Sequence, residues 1–136
     1  MSVQLLEDIP LSRSKVMQPL ITSGSMRGFR AKIVGLIMDG RPERALRLLA
    51  EYYGVGEPTL RVGTVKRHRK VLACYVEKES RIYLSNGSFV TNPFVILHEF
   101  YHHLRSSDQG KNRQVEKRAD LFAWSFIRDF KSSSSN

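Results

Sequence analysis

The chain has 136 residues, with 22 Lys and Arg against 13 Asp and Glu and a formal charge of +9 at pH 7. At 41% hydrophobic and 26% charged residues it lies near the average of folded proteins, which excludes a wholly disordered or collagen-like chain and suits one hydrophobic core rather than two. A single cysteine, Cys74, excludes an internal disulfide framework, no apolar run approaches ~20 residues, and no basic-then-apolar leader is evident, so a cytoplasmic protein without a membrane span is expected.

Residues 1–26 mix Ser, Pro and short apolar pieces without a sustained period and read as an N-terminal arm. In 27–38, Phe29, Ile33, Leu36 and Ile37 fall at helical spacing, and Asp39-Gly40 ends that helix. Pro42 suits the first turn of a second helix whose apolar positions are Ala45, Leu48, Leu49 and Tyr52, ending near Gly54. The period then changes. Residues 59–65, 71–76 and 81–84 read as strands, the last two joined in a hairpin by the polar turn 77–80, with 88–90 a candidate fourth strand. Asn92-Pro93 opens a helix to about Ser106, and a last helix covers about 113–131 before a low-complexity tail, 132–136, expected to be disordered. The expected fold is α+β, one domain over 27–131: two N-terminal helices, a small twisted sheet of three or four strands, then two helices.

The segment His98-Glu99-Phe100-Tyr101-His102 has the form H-E-x-x-H. On a helix, residues four apart share a face and can converge on one ion. With His98 at zero, His102 falls at about 40° and Glu99 at about 100°, opposite an apolar stripe of Phe94, Ile96, Leu97, Phe100, Tyr101 and Leu104. A shuffled chain of this composition carries the pattern in about one case in 200, so the motif needs a partner. Zinc needs a third protein ligand that leaves one position open. No histidine follows His103, and the last helix offers Glu116 and Asp120, four apart on the edge of its apolar stripe. Glu116 is the candidate third ligand, and Asp120 the acceptor for the outer N–H of a ligating histidine.

His98-Glu99-x-x-His102 followed by Glu116-x-x-x-Asp120 resembles the gluzincin metallopeptidases, and the 116–123 stretch resembles the corresponding helix of ImmA/IrrE-type metallopeptidases. Size and element order look most like the minimal single-domain gluzincins. The resemblance implies a zinc-dependent peptidase in which His98, His102 and Glu116 hold Zn2+, which acidifies water, and Glu99 is the general base. It implies a peptide or protein substrate paired with an edge strand, for which 81–84 and 88–90 are the candidates. Larger gluzincins carry a further His or Tyr for the oxyanion. None follows His103 here, leaving Tyr83, His103 and Arg128 as candidates. Minimal gluzincins can be held latent by a terminal segment, and the arm's Glu7-Asp8 pair is the candidate blocking group. The competing class is a non-catalytic zinc-binding or DNA-associated regulatory protein of the same shape.

Other residues have plainer readings. His103 points away from His102 and reads as helix surface, Tyr101 as core, Trp124 and the last helix's Phe residues as packing, and Cys74 as a small buried hydrophobe. Lys66, Arg67, Arg69 and Lys70 form the densest basic cluster, either a solvated loop or a patch for nonspecific nucleic-acid contact.

Overall fold

A computed structural model describes residues 23–63, 71–106 and 113–134. Among these residues the fold is α+β: four helices and a three-stranded mixed sheet. Helix α1, Ser23–Met38, begins four residues before the expected start. Its end is set by Gly40, whose φ of +80° suits glycine, with the Gly40 N–H donating to Ile37 and the Arg41 N–H to Leu36. Pro42 then opens α2, Pro42–Tyr53, which closes on Gly54 at φ 70° with its N–H on the Ala50 and Glu51 carbonyls.

Strands β1 (Thr59–Val62), β2 (Ala73–Val76) and β3 (Arg81–Leu84) follow. The expected β2–β3 hairpin forms, antiparallel, with Cys74 opposite Tyr83 and Tyr75 opposite Ile82. The sheet order is β1-β3-β2, with β1 parallel to β3 and Thr59 opposite Arg81. Two expectations are corrected here. Residues 81–84 are the central strand, with both edges already paired, and cannot receive an added strand. The stretch Gly87–Thr91 is a 3-10 turn rather than a strand, because the Asn86 side chain accepts from the Ser88 N–H at 2.8 Å and starts the coil.

Helix α3, Pro93–Leu104, begins as expected: Pro93 occupies its first turn and Asn92 Oδ1 caps it by accepting from the Val95 N–H at 3.2 Å. Helix α4, Arg113–Ser134, carries on past Lys131, so 132–134 extend the helix where the tail was expected. The arm residues 1–22, with Glu7-Asp8, the basic cluster within 64–70, and 135–136 lie outside the described residues.

One core joins these layers. Ile33 and Ile37 of α1, Leu46 and Leu49 of α2, Ile82 and Leu84 of β3, Ile96, Leu97 and Phe100 of α3, and Phe122 and Phe126 of α4 are all fully buried. Each contributes on the order of 1.5–3 kcal/mol by leaving water. Helix α4 packs most extensively on α1 and α3. Arg30 and Asp129 tie α1 to α4 at 3.0 Å, both mostly shielded, with the guanidinium over the Phe126 ring. Cys74 is buried and Tyr101 is core, as their sequence contexts imply. No helix among the described residues is long and apolar enough to cross a membrane.

Candidate metal centre

The site is made where α3 crosses α4. Ala119 and Ala123, both fully buried on α4, keep that crossing close, so the side chains bordering the contact can meet across it. His98 and His102 stand one turn apart on α3, and Glu116 and Asp120 one turn apart on α4. His98 Nε2 lies 3.0 Å from Glu116 Oε1, and His102 Nε2 lies 3.1 Å from Glu116 Oε2. Asp120 Oδ1 takes the other side of the His98 ring, 2.9 Å from Nδ1. The histidine side chains are only 16% and 10% exposed, whereas the two carboxylates are about half exposed, so the group opens to solvent on the α4 side.

A carboxylate accepts hydrogen bonds, and a neutral imidazole donates from one nitrogen only. His98 faces a carboxylate from both nitrogens. Either the ring carries a second proton, or Nδ1–H donates to Asp120 while the Nε2 lone pair turns to a cation that Glu116 shares. One ligand atom from each of His98, His102 and Glu116 lies within 4.8 Å of the others. Ligands on one tetrahedral ion at about 2.1 Å stand roughly 3.4 Å apart, so this group could hold a metal ion with small side-chain adjustments. Borderline N and O donors of this type suit zinc and other late divalent metals.

Glu99, expected on an open face, is buried at 8% exposure, and it is the one buried carboxylate among the described residues. The three oxyanion candidates lie in different parts of the fold. Tyr83 pairs with Cys74 on the sheet face opposite Ile82 and Leu84, where its hydroxyl donates to Glu79. Arg128 is exposed on α4, about 18 Å along the helix from Glu116.

His103 is not helix surface. Its Nε2–H donates to the Gly56 carbonyl at 2.7 Å, which leaves Nδ1 to accept from the Tyr75 hydroxyl, also at 2.7 Å. Burial pushes its pKa down, partly offset by the Gly56 carbonyl. Burial likewise raises that of Tyr75, with hydrogen bonds from Ser80 and Ser106 opposing. The neutral His103–Tyr75 pair fastens the last turn of α3 to β2 and to the α2–β1 loop, and so fixes the turn that presents His102. A contact that depends on the 54–58 loop returning to α3 leaves no mark in the periodicity.

Trp124 is half exposed rather than packed inside. The helical wheel carried that signal, since Trp124 lies about 160° from Phe126 and about 40° from Asp120. Its ring rests 5.0 Å from that of Phe94, which lies 6.0 Å from His98. Comparison with protein-family models, curated proteins and solved structures found no match.

Proposed function

We propose that the protein is a zinc-dependent peptidase of the gluzincin type, with His98, His102 and Glu116 as ligands and Glu99 as the general base. The observation that carries this reading is the convergence of His98 Nε2 and His102 Nε2 on the two oxygens of Glu116, while Asp120 takes the remaining nitrogen of His98. A divalent ion held there supplies Lewis acidity to a peptide carbonyl and to water.

The chain's own residues do the rest. Asp120 holds His98 in the tautomer whose Nε2 is free to ligate. His103, gripped by Tyr75 and Gly56, fixes the end of α3. Glu99 adjoins His98 in sequence without belonging to the ligand set, and takes a proton from the attacking water and returns it to the leaving amine. A purely structural metal site has no use for a buried carboxylate in that position, which favours the hydrolytic reading over a non-catalytic one. Peptide or protein is the substrate class, and nucleic-acid contact is the alternative role of the basic surface.

The test is metal analysis with a peptide digest on the full chain. The parent should hold about one zinc per chain, His98→Ala and His102→Ala should lose it, and Glu99→Gln should keep it while hydrolysis falls by roughly 10²-fold or more. Zinc retained in both histidine variants would refute the site. Equal hydrolysis by Glu99→Gln would refute the enzyme.

A further inference from the structure

Arg113, Lys117, Leu121, Trp124, Arg128 and Lys131 recur every three or four residues along α4, and all six are exposed. At 100° per residue they fall within about 80° of one another, forming a stripe about 27 Å long. Of the acidic side chains of α4, Asp129 lies well off it and pairs with Arg30, while Asp120 borders it and, with Glu116, turns to the histidines. The stripe therefore carries four positive charges, two large apolar groups and no negative charge. Beside Trp124 lies an open groove of about 520 Å³, lined by Trp124, Ile127, Arg128, Lys131 and Ser132. The Phe94 ring connects this groove's Trp124 to His98, at 5.0 and 6.0 Å between ring centroids.

We propose that the α4 stripe and its groove bind acidic peptides carrying a large apolar residue, and thereby select the substrates presented to the metal group. This rests on the peptidase reading and names its substrate class. Trp124 lies about 12 Å beyond Glu116 along the helix, and Arg128 and Lys131 about 18 and 22 Å beyond it. An extended peptide advances about 3.4 Å per residue. The apolar residue therefore sits three or four positions from the cleaved bond, against Trp124 and Ile127, and the acidic residues five to seven positions away, against Arg128 and Lys131. A single-stranded nucleic acid fits less well. Such strands use successive stacking platforms, whereas the stripe offers one aromatic ring flanked by the aliphatic Leu121 and Ile127.

Trp124 is the chain's one tryptophan, so its fluorescence reports binding directly. The zinc-loaded full chain is titrated with a 12-residue peptide bearing Leu and three Glu at those positions, with its Gln-for-Glu counterpart, and with a 12-nucleotide oligothymidylate. The Glu peptide should bind at least tenfold more tightly than the Gln peptide. The exposed double variant R128E/K131E should lose that margin with zinc content unchanged. Equal binding of the Glu and Gln peptides would overturn the proposal. So would tighter binding of the oligothymidylate through the same two residues. Acid-selective binding without Glu99-dependent cleavage of any peptide would uphold the ligand class and refute the hydrolytic reading instead.

Discussion

Replacing Asp120 by Ala takes away the acceptor 2.9 Å from His98 Nδ1 and leaves the three nearest donors, His98, His102 and Glu116, in place. Partners of this kind typically contribute 10–100-fold in metal affinity. The Asp120 side chain is 49% exposed, so water can take over part of its role and the low end of the range applies. The expected loss is about tenfold, or about 1.4 kcal/mol. Glu116→Ala removes a proposed ligand outright. Zinc-site free energies of ~10–16 kcal/mol spread over four ligands give about 3 kcal/mol for one, a loss of roughly 100-fold or more. Asp120→Asn keeps an oxygen acceptor without the charge and should fall between the parent and Asp120→Ala. Zinc titration against a chromophoric chelator at pH 7 measures all three, with circular dichroism to show that the fold persists. Parent-like affinity in Asp120→Ala would refute the claim that Asp120 orients His98. A loss as large as that of Glu116→Ala would make Asp120 a ligand.

Two further expectations concern the scaffold. The Tyr53 hydroxyl is buried with no hydrogen-bond partner among the described residues, and burial raises its pKa far above the ordinary 10.0. Tyr53→Phe should therefore be neutral to about 1 kcal/mol stabilising in urea unfolding at pH 7. A group whose pKa is raised by folding contributes its full stability below the unfolded value and loses it as pH rises past that value. The advantage of Tyr53→Phe over the parent should accordingly widen above pH 10, by up to about 1.4 kcal/mol per pH unit, and a constant difference would refute the reasoning. Phe122 is fully buried among Tyr53, Phe100, Tyr101 and Phe126, so Phe122→Ala should cost about 3–5 kcal/mol in the same assay, and a loss below 1 kcal/mol would contradict that packing.

The helices and the His98–His102–Glu116 group were legible because both are periodic facts. Spacings of three and four put Ile33 with Ile37 and His98 with His102, and Asn92-Pro93 announces a cap that the structure contains. The strands and the β2–β3 hairpin were legible, but the order of the whole sheet was not. The parallel pairing of β1 with β3 depends on contacts across more than twenty residues, and it makes β3 central. The apolar Phe89-Val90 pair suggested a strand, but a local hydrogen bond from Ser88 to Asn86 settled the backbone first. At the site, the residues that could hold a metal were readable one helix at a time. The His103–Tyr75–Gly56 tie was not, because it joins three elements and uses each of them once.

The Arg30–Asp129 tie also bears on the order in which the molecule assembles. It closes a loop of 99 residues, whereas His98 and Asp120 meet across 22. Loop-closure entropy makes the longer contact costlier by about 1.3 kcal/mol. The α3–α4 hairpin, which contains every candidate ligand, is thus expected to form early from local contacts, with α1 docking on it late. The same inequality is expected to run backwards on unfolding: a weakened chain should shed α1 first and keep the His98–His102–Glu116 group longest, held by two helices that are neighbours in sequence.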